Sequence, residues 1–161
     1  MTLPLTTGEG IAAVKIDTEG FEPRVLQSLR PVWHLLTGSV VVELQPHSWE
    51  RNGIPVEEAF TTLRDFGRAT GYVVVTLPHR TGEGNESSTA TDRGLATGAK
   101  VDPCKVRPLS SMRWTPQIAI AKAGMGSAVT MSFADLEAGL RQLLQKGGGF
   151  FHDVLFARKS C

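Results

Sequence analysis

The chain reads as an α/β protein, a largely parallel sheet with helices packed against it. Three observations carry that expectation. Val40, Val41 and Val42 run unbroken, and a strand that is apolar at consecutive positions buries both of its faces. Two amphipathic segments each begin at a proline, Pro23 and Pro55, which suits the first turn of a helix because the missing N–H would be unpaired there anyway. Strand and helix signals alternate through the first 77 residues with short connections, the pattern of parallel strands joined by helical crossovers.

Residues 11–16 open the series. Ile11, Val14 and Ile16 are β-branched within a short, mostly apolar run, as in a buried strand. Glu22-Pro23 then starts a helix, with Glu22 beside its positive N-terminus. Val25, Leu26, Leu29, Val32, Trp33 and Leu36 keep helical spacing, Pro31 kinks or ends the first segment, and Gly38 closes it. Residues 39–44 form the second strand. Pro55 opens the next helix, with Glu57 and Glu58 in its first turn and Val56, Ala59, Phe60, Leu63 and Phe66 on its apolar face. Gly71 stops it, and residues 72–77 form the third strand.

Residues 80–98 are rich in Gly, Ser, Thr and Asn and almost empty of large apolar side chains, which predicts a long exposed loop. It belongs to a loop-rich insertion over 78–131, inside a single domain spanning 1–161. Residues 117–121 suggest a further short strand. Ser132, followed three positions later by Asp135, resembles a capping box. Phe133, Leu136, Leu140, Leu143 and Leu144 give the last helix its apolar face, and Gly147–Gly149 ends it. Residues 150–157, centred on Val154-Leu155-Phe156, form the closing strand.

Composition narrows the class. Hydrophobic residues make up 41% and charged residues 20% of 161, enough to bury a core. The net charge of +1 sets up no global field toward nucleic acid or a membrane surface. It is unevenly spread: residues 1–77 carry −3, residues 78–131 carry +3 and residues 132–161 carry +1. No apolar stretch approaches the ~20 residues of a membrane span. Residues 1–7 lack the basic and apolar regions of an export signal, so the default expectation is a cytoplasmic location. Cys104 and Cys161 are too few for a disulfide scaffold and lack metal-ligand spacing. His34, His47, His79 and His152 are dispersed and form no metal-ligand set.

Ligands of open α/β sheets collect beyond the carboxyl ends of the strands. There the chain reads Lys15-Ile16-Asp17-Thr18-Glu19-Gly20-Phe21-Glu22 after the first strand and Glu43-Leu44-Gln45-Pro46-His47 after the second. Asp17, Glu19, Glu22 and Glu43 would converge on one rim, with His47 near them as a possible acceptor contact. The plain alternative is that Asp17 and Glu19 cap turns, that Glu22 caps its helix, and that Lys15 pairs with one of the acids. Three other features have plain readings too. Asn85-Glu86-Ser87 matches a glycosylation acceptor but has no export signal with it. Arg107, Arg113 and Trp114 lie in a mildly basic arm. Ile118–Ala121 followed by Gly124-Met125-Gly126 has strand-then-glycine order without a third glycine.

The string KIDTEGFEPRVLQSL, followed by VVVEL and GYVVVTL, resembles the C-terminal half of FkbM-type methyltransferases. Lys15, Ile16, Asp17, Glu19, Gly20, Glu22, Val25, Leu26, Val42 and Glu43 match that family's pattern position by position over residues 11–77. The closing Val154-Leu155-Phe156-Ala157-Arg158-Lys159 is similar to its last strand. The resemblance implies part of a Rossmann-like, three-layer α/β/α methyltransferase sheet, with Asp17 at the end of the fourth of seven strands. It also implies S-adenosylmethionine as cofactor and O-methylation of a hydroxyl on a sugar or other small molecule. Asp17 would then draw the proton from the acceptor, Glu19 or Glu43 would orient it, and Glu22 and His47 would contact it.

One departure is large. A glycine-rich cofactor turn after the first strand and an acid after the second would lie upstream of Ile11. The chain is therefore expected to be the back half of such an enzyme, its cofactor residues unassigned. The alternative is a non-catalytic, methyltransferase-like structural or interaction module. Either way the strand at 11–16 lacks a neighbour on one side. Self-association, a partner chain, or cover by residues 100–131 is expected at that edge.

Overall fold

The computed structural model describes residues 10–77, 106–113, 115–123, 128–146 and 152–158. The expectations at His79, Asn85, Cys104, Trp114, Gly124–Gly126, Gly147–Gly149 and Cys161, and the loop over 80–98, lie outside them. The strands are β1 (Ile11–Ile16), β2 (Leu36–Leu44), β3 (Tyr72–Thr76), β4 (Val129–Met131) and β5 (His152–Arg158). The helices are α1 (Glu22–Ser28), α2 (Pro46–Trp49), α3 (Val56–Thr70), α4 (Pro116–Ala123) and α5 (Phe133–Gln145).

The protein is α/β, with an open five-stranded sheet in the order β1-β2-β5-β3-β4 packed against helices. β1 and β2 are parallel neighbours, as expected from the valine run. The sheet as a whole is mixed: β1, β2 and β3 run in one direction, as the alternation over residues 11–77 predicts, and β4 and β5 run against them. β5 enters between β2 and β3, antiparallel to both, and β4 is antiparallel to β3. The physical reason is apolar matching. Val154 and Phe156 stand opposite Val42 and Val40 on one side and Thr76 and Val74 on the other, and all six are buried.

Alternate residues of the central strands point to one face. Ile16, Val40, Val42, Leu44, Val74, Val154 and Phe156 are buried there, while Val41, Val73 and Leu155, on the other face, are half-buried. α3 supplies the middle of the covering layer. Its Phe66 ring meets Trp33, Tyr72, Phe133 and Phe156 at centroid distances of 5.3, 5.7, 6.0 and 5.5 Å, within the range of favourable aromatic pairing. Arginines tie neighbouring helices together. Arg24 of α1 pairs with Glu58 of α3, and Arg64 of α3 pairs with Glu137 of α5 at 2.7 Å. Arg141 of α5 reaches Glu57 at 2.5 Å.

Three local expectations need correction. Pro31 ends the first segment, one of its two expected effects, with α1 stopping at Ser28; the apolar spacing that continues to Leu36 is a 3-10 turn, Arg30–Leu35, and not a second stretch of helix. Gly38 does not close a helix but lies inside β2. A Cβ there would fall 1.6 Å from the Ala12 carbonyl oxygen, so glycine allows the close approach of β1. Residues 117–121 are helical, within α4; the Thr115 hydroxyl accepts from Ile118 N at 3.3 Å at its start. α5, by contrast, has the expected capping box, Asp135 N to Ser132 Oγ at 3.0 Å and Ser132 N to Asp135 Oδ2 at 3.1 Å.

Among the described residues β1 has a neighbour on one side only, and the described part of 100–131 lies at the opposite edge, where β4 joins β3. That described part does not cover β1. A free strand edge with exposed Ala12 and Ala13 favours edge-to-edge pairing. The chain is expected to self-associate in sedimentation velocity, and Ala13→Lys to shift it toward monomer while changing stability by only ~0.5 kcal/mol. Unchanged association in that variant would place the contact elsewhere.

Candidate functional site

Asp17 follows β1 directly, and Glu43 lies near the end of β2. Because Ile16 is level with Val42 in the parallel ladder, the next residues of the two strands meet, and the Asp17 and Glu43 carboxyls interact directly. Glu43 is in turn opposite Asp153 of β5. Three acids thus follow one another across three strands at the carboxyl edge of β1 and β2. Lys15 Nζ donates to Asp17 Oδ2 at 2.8 Å, and Gln45 Nε2 donates to Glu43 Oε1 at 3.3 Å.

The two interacting carboxyls are driven apart in acidity. The Lys15 hydrogen bond holds Asp17 below the ordinary carboxylate range, and Lys15 is raised in return. Burial pushes Glu43 up, and the negative charge of Asp17 pushes it further. Such a split gives one carboxylate that is ionised and a neighbour that holds its proton more tightly. Asp17 is 41% exposed and Glu43 is half-buried, so both remain within reach of solvent. The ionised Asp17 can accept a hydrogen bond from a hydroxyl.

The loop carrying Asp17 into α1 is held from below. Glu22 is 0% exposed. Its Oε1 accepts from Gly20 N at 2.5 Å and its Oε2 from Trp49 Nε1 at 2.9 Å. Asn52 Nδ2 donates to the Glu19 carbonyl at 3.0 Å. Glu19 takes φ 50° and Gly20 φ 102°, and a Cβ on Gly20 would lie 2.4 Å from Ser48 Cβ. Glycine is therefore required both by the backbone and by the packing. The segment after β2 clamps the loop after β1.

Of the four acids expected on one rim, Asp17 and Glu43 come together, while the Glu19 side chain is exposed on the loop. Glu22 is turned inward, and both of its oxygens are engaged by protein donors. It supports the loop rather than facing an acceptor. His47 is exposed on α2, just beyond β2. Phe21, on the same loop, is 47% exposed. His34 lies on the surface just before the start of β2, at the opposite end of that strand from this rim, and Arg107 and Arg113 are exposed. Sequence reasoning missed Asp153, Trp49 and Asn52. Asp153 stands just before the apolar core of the last strand, but only the strand order brings it to Glu43.

Gly20 is a single glycine after β1, β2 runs into the short α2, and Ile118–Ala121 is helix rather than strand, so the strand-then-glycine order proposed there is lost. Among the described residues no group of three or more His, Cys, Asp or Glu is placed to hold a metal ion, and no helix is long and apolar enough to cross a membrane. No family model matches the chain, and neither a curated protein nor a solved structure does.

Two outcomes follow from this geometry. Glu22→Ala leaves the Gly20 N–H and the Trp49 indole N–H buried without an acceptor, and urea unfolding is expected to show a loss of about 2–4 kcal/mol. Glu43 contributes stability while protonated, fully present below its ordinary value of 4.5 and lost as pH rises through its raised folded value. Glu43→Gln, which cannot ionise, is therefore expected to gain melting temperature relative to the native chain at pH 7 and to lose that gain at pH 4. A difference independent of pH would mean that Glu43 is not raised.

Proposed function

We propose that this chain is the acceptor-side part of an FkbM-type O-methyltransferase, with Asp17 drawing the proton from an acceptor hydroxyl and Glu43 holding the pair in its split ionisation. The observation that carries this reading is the placement of Asp17 level with Glu43 at the carboxyl edge of two adjacent parallel strands. That edge is where α/β sheets bind ligands. The resemblance of Lys15 to Glu22 and of Val42-Glu43 to the family pattern supports it from the sequence side. Glu19 and His47, exposed close to the pair in sequence, offer polar contacts to a hydroxylic acceptor such as a sugar, and Phe21 offers an apolar one.

In the same reading the sheet is part of a Rossmann-like, three-layer methyltransferase sheet, and the open edge of β1 is where a further strand belongs. No residue is assigned to hold S-adenosylmethionine, so no step is assigned to the cofactor. The open edge of β1 among the described residues, with exposed Ala12 and Ala13, supports a second reading, a methyltransferase-like module that binds a partner and catalyses nothing.

Calorimetry separates the two. The 161 residues alone are expected to bind S-adenosylmethionine weakly or not at all; micromolar binding would overturn the assignment of this chain to the acceptor side. Coding sequence upstream of Met1 that supplies a strand and glycine-rich turn, joined to these residues, is expected to confer binding and methyl transfer together. Asp17→Asn in that form should lower turnover by roughly 10²–10⁴, the usual worth of a positioned base, and leave cofactor affinity nearly unchanged. Cofactor binding without turnover on any hydroxylic acceptor would favour the module.

A further inference from the structure

A second concave surface lies at the other end of the sheet, where β2 and β3 begin. A cleft of about 440 Å³ is lined by Arg30, Trp33, His34, Asp65, Arg68 and Ala69, between the 3-10 turn Arg30–Leu35 and the last turns of α3. Its floor is fixed. Trp33 Nε1 donates to the Leu26 carbonyl at 3.0 Å, the Trp33 ring meets the edge of Phe66, and the Arg30 guanidinium lies 5.7 Å from the Trp33 ring centroid.

The cations of this cleft are under-used. Arg30 Nη2 stands 3.7 Å from Asp65 Oδ2 and Arg68 Nη1 stands 3.6 Å from Asp65 Oδ1, both too long for hydrogen bonds. Among the described residues neither guanidinium makes a shorter contact with an acceptor. Two permanent cations therefore share one carboxylate, and their N–H forks remain open. We propose that this cleft binds a phosphate monoester, with Arg30 and Arg68 bridging the phosphate oxygens and the exposed His34 beside them. A tetrahedral dianion presents three oxygens to two forks, the geometry guanidinium groups recognise best. The cleft is larger than a phosphate group, which leaves room over Trp33 for the organic part. α3 turns its carboxyl end to this side, so backbone amides do not assist and the two arginines supply the attraction. Asp65 competes with the ligand for them.

The test is a titration of the chain with inorganic phosphate and with phenyl phosphate at constant ionic strength, followed by the Trp33 indole and arginine Nε–H signals in ¹H–¹⁵N spectra. Saturable shifts confined to this cleft are expected. Equal affinities for the two probes identify free phosphate as the ligand, and tighter binding of phenyl phosphate identifies the ester. Arg30 and Arg68 are 63% and 77% exposed, so Arg30→Gln and Arg68→Gln should fold normally. Each is expected to weaken binding about tenfold, the loss of one charged hydrogen-bonding partner. Asp65→Asn is expected to tighten it. Shifts that stay linear with concentration, affinity unchanged from the native chain in either glutamine variant, or weaker binding in Asp65→Asn would overturn the proposal.

Discussion

The buried carboxylate of Glu22 is the constraint around which the candidate site is arranged. It sits where two donors without water, the Gly20 amide and the Trp49 indole, need an acceptor. A buried donor left unpaired costs more than an ordinary hydrogen bond gains, so the loop after β1 and the turn after β2 are not independent. Fixing one fixes the other, and the Asp17–Glu43 contact inherits its geometry from that coupling. The conformation of Glu19, unusual for a residue with a side chain, persists because Asn52 holds its carbonyl and Gly20 has no room to move.

The helix layer has an analogous centre in Phe66. Its ring touches aromatic groups from the 3-10 turn, β3, β5 and α5, so the layer and the sheet share one packing problem. The acidic first turn of α3 serves that layer as well. Glu57 and Glu58, placed by sequence at the positive helix end, are also the residues that Arg141 and Arg24 reach from neighbouring helices.

What was legible depended on range. β1, β2, α3 and α5 follow from local spacing, capping and proline position, and the Ser132–Asp135 box is purely local. α4 was misread because Ile118-Ala119-Ile120-Ala121 alternates no more like a helix than like a strand. Its state is set by Thr115 and Pro116 at its start and by burial of Ala119 and Ile120 against the rest of the core. Pro31 marks the end of α1, but the apolar spacing continues past it through a 3-10 turn, so spacing alone does not separate the two. At the site, Asp17 and Glu43 were legible because each ends a recognisable strand next to a motif. Asp153 was not, since its place beside Glu43 depends on a pairing between strands far apart in the chain. The inward turn of Glu22 depends likewise on Trp49, 27 residues away.

The position of β5 also has a consequence for synthesis. It is the last described strand to leave the ribosome, yet it belongs in the middle of the sheet, and Arg158 bonds the Leu36 carbonyl across 122 residues. Until it arrives, β2 and β3 have no shared neighbour, and their valine-rich edges stay open to other chains. Pairings of such long range are slow to form, and nascent chains with unpaired strand edges are prone to aggregate. The interval between the emergence of Thr76 and that of Arg158 is therefore the stretch of synthesis in which these central edges have no partner within the described sheet.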